Sequence, residues 1–163
     1  MRTLVFGNSG SGKSSWARAL AERHRLTHLD LDTLVWEPDQ VAVPRPPEAV
    51  TAELQAFLND HDRWVIEGCY GELVAAAAPH CTLLVFLDPG REACLANNRR
   101  RPWEPHKYAS PEAQDAMLEA LQAWVCNYYE RDDHLSWRRH HALFEAHPGP
   151  KWHWTGHPPL PPG

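Results

Sequence analysis

Gly7-Asn8-Ser9-Gly10-Ser11-Gly12-Lys13-Ser14 spells G-x-x-x-x-G-K-S, and Ser15 adds a second hydroxyl behind it. These residue types at this spacing make a cradle for phosphate. The glycines let the backbone turn tightly and aim successive N–H groups at anionic oxygens. A helix starting directly after the loop adds the positive end of its dipole. Lys13 supplies a mobile cation for β- and γ-phosphates, and Ser14 offers a hydroxyl to Mg²⁺. A dinucleotide fingerprint would need G-x-G-x-x-G, whereas the glycines stand at 7, 10 and 12. The chemistry indicated is the binding of a nucleoside triphosphate.

Carboxylates recur where strands of a parallel sheet would end, which is where ligands gather in such sheets. Thr27 to Asp32 reads as a strand, and if it extends that far the period of two puts Asp30 and Asp32 on one side. Either could hold Mg²⁺ through water or accept a proton from a substrate hydroxyl, and either could instead cap the next turn. Arg63 to Glu67 is a third strand followed by Gly68-Cys69-Tyr70-Gly71, so Glu67, Gly68 and Tyr70 are expected at an acceptor, with Trp36 as a wall of its pocket. Asp88, ending the apolar run from Cys81, is expected beside the metal with Ser14 and Asp32. Pro89 follows it, where hydrolytic machines keep a glutamate to activate water.

Cations cluster in Arg99-Arg100-Arg101-Pro102-Trp103-Glu104-Pro105-His106-Lys107. Broken by prolines, this stretch reads as a lid over about residues 99–110 whose Arg99 and Arg101 neutralise the phosphoryl group on closure. The same arginines could instead satisfy the last carbonyls of a helix.

The elements that must position these residues alternate strand and helix. Apolar runs at Thr3–Phe6, Arg63–Glu67, Cys81–Asp88 and Lys151–Thr155 join Thr27–Asp32 as strands. Helical spacing predicts helices over Ser14–Arg23, from Pro47 to Asp60, over Glu72–Ala78 and Arg91–Asn98, from Ser110-Pro111-Glu112 onward, and over about 135–146. In the helix after Ser110, Met117, Leu121, Trp124, Val125 and Tyr128 form an apolar stripe read as a packing face. Arg131 is read either as a phosphate contact or as an ion pair with Asp132 or Asp133.

The 163 residues carry a formal charge of -5 and 43% hydrophobic side chains, which fits one soluble α/β domain over residues 1–155 with a proline-rich tail at 156–163. No basic face speaks for nucleic acid, no apolar run speaks for a membrane, and no signal-peptide pattern precedes Gly7, so a cytoplasmic protein is expected, as monomer or homodimer. The four cysteines form no C-x-x-C and the 11 histidines no H-E-x-x-H, which argues for reduced thiols and against zinc.

With these residues in place the chain resembles the small phosphate-loop kinases. It is most similar to the adenylate-kinase-related group that includes the FlaR-like and topology modulation proteins. The matching motifs are His28-Leu29 with Asp32-Thr33-Leu34-Val35-Trp36, and Arg63 to Gly68. Asp30-Leu31-Asp32 is similar instead to the D-x-D of shikimate and gluconate kinases. The resemblance implies a three-layer α/β fold with a five-stranded parallel sheet in the order 2-3-1-4-5. It further implies ATP with Mg²⁺ on the loop, an unidentified small-molecule acceptor over strands two and three, and lid arginines. A phosphotransferase is therefore expected. The alternative is a regulatory nucleotide-binding ATPase without an acceptor, and a GTPase is disfavoured because no N-K-x-D motif is present.

Overall fold

The computed structural model describes residues 1–40, 42–105 and 107–159. His106 of the expected lid and residues 160–163 of the tail lie outside the described residues. Five strands, β1 (Arg2–Gly7), β2 (Thr27–Asp30), β3 (Trp64–Gly68), β4 (Leu83–Leu87) and β5 (Lys151–Trp154), form one sheet. Its order is β2-β3-β1-β4-β5 and every pairing is parallel, as the resemblance implies.

The period of two sorts the strand residues into two cores. Leu4, Phe6, Trp64, Ile66, Leu84 and Phe86 face one way, against Leu31, Leu34, Val50, Leu54, Val74 and Ala77. Those partners come from α2 (Asp32–Val35), α3 (Pro47–Asp60) and α4 (Gly71–Ala77) and the turn before them. Val5, Val65, Val85 and Leu87 face the other way, against Trp16, Ala17 and Leu20 of α1 (Lys13–His24). Burial on both faces explains why β1, β3 and β4 read as unbroken apolar runs rather than alternating ones. A third, smaller core joins Cys94 and Leu95 of α5 (Arg91–Arg99) to Val125 of α6 (Pro111–Cys126). The last helix, α7 (Trp137–Ala146), starts at Ser136, whose hydroxyl accepts the Arg139 N–H at 3.2 Å.

Two expectations are corrected. β2 stops at Asp30, and Asp32 opens α2, so the two aspartates do not alternate along one strand face. The cause is local: Asp30 Oδ1 accepts the Asp32 N–H at 2.9 Å and the Thr33 hydroxyl donates to the Asp30 carbonyl at 2.7 Å. Side-chain bonds of this kind bend an aspartate-rich strand end into a turn. The stripe on α6 is not wholly a packing face either: Val125 and Tyr128 are fully buried but Met117 is 49% exposed. Among the described residues no helix is long and apolar enough to cross a membrane.

Candidate functional site

The glycine-rich loop leaves β1 and is held in shape by its neighbours. Gly10 has φ 81° and lies so close to α5 that a Cβ would stand 2.3 Å from the Cys94 carbonyl oxygen. Gly12, at φ 92°, takes the left-handed turn that starts α1, with open space where a side chain would stand. Asn97 donates to the Gly10 carbonyl at 2.8 Å. Asn98 accepts from the Ser9 hydroxyl at 3.2 Å and donates to the Ser9 carbonyl at 3.3 Å. Asn8 donates to the Val125 carbonyl at 3.3 Å. Lys13 is buried, and its Nζ donates to the Asn8 carbonyl across the loop at 2.7 Å. The loop is thus clamped from α5 and α6 before any ligand arrives, with the ammonium folded over its mouth.

The side expected to take an acceptor is built from the ends of β2 and β3. The Ser14 hydroxyl donates to Glu67 Oε1 at 2.9 Å, and His28 Nε2 stands 3.7 Å from that same oxygen. Glu67 is 2% exposed. Asp32 receives the Tyr70 hydroxyl on Oδ1 and the Lys107 ammonium on Oδ2, the latter at 2.7 Å. Trp36 Nε1 completes the chain by donating to the Tyr70 oxygen at 3.0 Å. Burial pushes the Asp32 carboxyl up, but the charge and hydrogen bond of Lys107 and the bond from Tyr70 outweigh it and hold the group below the usual carboxylate range. Asp30 goes the other way: burial, then the charges of Glu67 and Asp32, raise it to about 6. Two neighbouring carboxyls are thereby set apart, one firmly ionised and one close to taking a proton.

The remaining expected residues fall in other places. Asp88, expected beside the metal, accepts from the Tyr129 hydroxyl at 2.6 Å, Trp137 Nε1 at 2.9 Å and His153 Nε2 at 3.3 Å. The carboxylate on the Ser14 hydroxyl is Glu67 of β3, and Asp88, directly after β4, links β5 to α7 and to the turn after α6. Gly68 makes its close approach to protein, since a Cβ there would lie 2.8 Å from Leu31 side-chain atoms. Arg99 ends α5 exposed to solvent, and Arg101 pairs with Glu104 at 3.8 Å. Arg131 pairs with Asp133 at 3.4 Å and lies over the Trp124 ring. Ser15 is exposed on the first turn of α1.

Four residues that sequence reasoning did not single out matter here. Lys107 reaches Asp32, and Asn97 and Asn98 hold the phosphate loop. The fourth, His140, is fully buried and touches the acceptor turn: its Nε2 bonds the Cys69 carbonyl at 2.7 Å and its Nδ1 the Tyr128 hydroxyl at 2.7 Å. A carbonyl can only accept, so Nε2 carries the proton and Nδ1 accepts from the tyrosine. Burial lowers this imidazole to about 4, so it is neutral near pH 7. The run of cations at 99–107 was the signal for Lys107. No sequence signal marks the other three, whose bonds to the phosphate loop and to Cys69 span 71–89 residues.

The donor set suits a hard divalent cation. Ser14, Glu67, Asp30 and Asp32 offer oxygen, and the crowding that raises Asp30 marks excess negative charge that such a cation would relieve. Among the described residues no group of three or more His, Cys, Asp or Glu side chains is arranged to hold a metal by itself. Mg²⁺ keeps several waters and binds through one or two protein groups plus phosphate oxygens, for which Ser14 and Glu67 are the residues at hand.

A strand-loop-helix phosphate cradle beside this strand order defines the three-layer fold of the phosphate-loop kinases. A gluconokinase from Sinorhizobium meliloti 1021 shares it, with TM-score 0.50 and 19% identity over 96% of this chain and 83% of that one. Looser likenesses are a sugar kinase from Janibacter sp. HTCC2649 (TM-score 0.48, 18% identity, 77% of this chain and 90% of that one) and a shikimate kinase from Acinetobacter baumannii in complex with shikimate (TM-score 0.43, 17% identity, 87% and 90%). No protein-family model matches the sequence, and no curated protein matches it. At such identities the likeness is one of fold, so function is argued from the site.

Proposed function

We propose that the protein is an ATP-dependent phosphotransferase that moves the γ-phosphate to a hydroxyl of a small-molecule acceptor. One observation carries this reading: the phosphate loop and the Asp32–Tyr70–Trp36 chain meet at the same sheet end, joined by the Ser14–Glu67 bond. Donor cradle and proton-accepting carboxylate therefore share one site. The loop amides and Lys13 hold the phosphates, with Asn8, Ser9, Ser11 and Ser15 shaping the cradle around them. Asp32, kept ionised, orients the acceptor hydroxyl and takes its proton as the acceptor oxygen bonds to γ-phosphorus and the bond to the β-phosphate oxygen breaks. Ser14 and Glu67 would hold Mg²⁺, which supplies charge neutralisation at the phosphates. Arg99 and Arg101 at the base of the lid add cations for the nucleotide, and Trp36 and Tyr70 wall the acceptor. The R-W-V-I-E-G strand supports a closer relation to the adenylate-kinase-related group, and Asp30-Leu31-Asp32 supports a hydroxyl acceptor.

A second reading, a regulatory nucleotide-binding protein, is favoured by Asp88, whose oxygens are taken by aromatic donors and which precedes Pro89 rather than a water-activating glutamate. Incubating γ-labelled ATP and Mg²⁺ with a panel of small hydroxyl compounds separates the two. Transfer to any acceptor is the expected result, whereas tight ATP binding with no transfer favours the regulator. In the transfer assay Lys13→Ala is expected to lower turnover at least about a hundredfold, the loss typical of removing one transition-state donor. Retained turnover in that variant would overturn the role given to Lys13.

A further inference from the structure

The lid segment is built rather than slack. Gln114 of α6 accepts the Glu104 N–H at 2.8 Å and donates to the Pro102 carbonyl at 3.1 Å. The Lys107 and Tyr108 N–H groups both return to the Glu104 carbonyl at 3.0 Å, which holds Lys107 at the closing end of a turn. From that turn the ammonium reaches Asp32 Oδ2 at 2.7 Å and stands 3.7 Å from Glu104. One hydrogen bond and one longer ion pair leave an ammonium with three N–H groups donor capacity to spare. The charge of Lys13, which belongs to the phosphate loop, also acts on the Asp32 carboxylate. Asp32 is therefore bonded to the lid ammonium and within the field of the ammonium of the donor cradle. Arg99 and Arg100 are exposed and Arg101 is paired with Glu104, whereas Lys107 is bonded directly to Asp32.

We propose that Lys107 is the lid's catalytic cation, bridging the Asp32 carboxylate to the terminal phosphate of the bound triphosphate. The proposal rests on the phosphotransfer reading above and assigns its lid residue. A lysine shared in this way couples the two substrates: the carboxylate that receives the acceptor also aims the cation at the donor. The acceptor hydroxyl must share Asp32 with Lys107 and Tyr70, which together hold both of its oxygens. The phosphoryl group then arrives beside a fixed positive charge rather than a mobile one, which is the arrangement that stabilises a transferring phosphoryl without reorganisation.

The test is calorimetric binding of ADP and of the non-hydrolysable β,γ-imido analogue of ATP, each with Mg²⁺, to the full chain. Lys107→Met is expected to weaken the triphosphate analogue about tenfold while leaving ADP within about twofold, as loss of one charge-assisted bond to the terminal phosphate would do. Lys107→Arg, which keeps a cation on the lid, is expected to hold the ADP-to-analogue ratio within about threefold of wild type. In an Asp32→Ala background, where nothing aims the ammonium, the Lys107→Met effect should shrink below about threefold. Equal weakening of both nucleotides, or of neither, overturns the bridge and leaves the phosphotransfer reading standing. An effect unchanged by Asp32→Ala overturns the part played by Asp32. A wild-type protein that binds neither nucleotide removes the reading and the proposal together.

Discussion

Asp30 and His140 are buried titratable groups whose protonation pulls stability in opposite directions over nearly the same pH window. Asp30 is raised from 3.8 to about 6, so its folded form holds a proton that the unfolded chain has released. Its contribution is complete below about pH 4 and lost as pH rises through 6. His140 is lowered from 6.5 to about 4, so unfolding lets it take up a proton. Its contribution is complete above 6.5 and lost as pH falls through 4. The two slopes offset in wild type. Asp30→Asn keeps the oxygen that accepts the Asp32 N–H, removes one slope and exposes the other. We expect it to gain about 1–2 kcal/mol near pH 7.5, allowing for its partial exposure. For a chain of this size that is about 2–8 °C in melting temperature. Near pH 4 the gain should vanish, and the variant's melting curve should fall steeply between pH 6.5 and 4. A gain that is the same at both pH values would mean that Asp30 is not raised.

At the scale of elements, the phosphate loop and α5 form one mechanical unit. Asn97 and Asn98 tie the loop to the helix that leads into the lid, and Gly10 lets the two backbones meet. A methyl group at Gly10 would meet the Cys94 carbonyl at 2.3 Å and the Asn98 amide at 2.8 Å, on a backbone already at φ 81°. Gly10→Ala is therefore expected to cost about 2–4 kcal/mol, or roughly 5–15 °C in melting temperature. Gly12→Ala meets nothing within 4 Å and carries only the left-handed strain, about 1–2 kcal/mol. Thermal melts of the two variants should fall in that order, and equal losses would mean that loop and helix are not closely packed. The aspartates at residues 30 and 32 left the strand pattern because Asp30 caps its own chain, a bond that competes locally with the ladder. Three aromatic donors from β5, α7 and the turn after α6 converge on Asp88, and no local pattern announces them.

For the whole molecule, the proposed reading puts the supports of its two substrates on separate parts of the chain: the loop on β1 and α1, the acceptor groups on β2 and β3, the cations on residues 99–107. A ligand that bridges these parts binds only the folded state, so Mg²⁺ with ATP should stabilise the protein by mass action. At a hundredfold excess over the dissociation constant that is about 2.7 kcal/mol, or about 5–11 °C in a melting curve. Adding EDTA at constant ATP should abolish most of the shift, because Ser14 and Glu67 then face bare phosphate charge. A shift indifferent to EDTA would remove the cation from the Ser14–Glu67 pair. Among the described residues the tail is tied to α1 by Trp16 Nε1, which donates to the Pro159 carbonyl at 3.0 Å.

Sequence alone determined the donor end. A contiguous loop of three glycines, Lys13 and Ser14 carries its own geometry, and apolar runs buried on both faces of a parallel sheet announce themselves without knowledge of their neighbours. The strand order followed from resemblance, since period and burial do not say which strand lies beside which. Only the tertiary structure decided which side chains gather beside that loop. Ser14 meets Glu67 across 53 residues, Tyr70 meets Asp32 across 38 and Lys107 meets Asp32 across 75. Which carboxylate meets the serine, and which lid cation meets the carboxylate, are set by where β2, β3 and the lid turn end in space. Charge and residue type at a single position are the same whether that meeting happens or not, so the pairing is legible only once the sheet has brought the strand ends together.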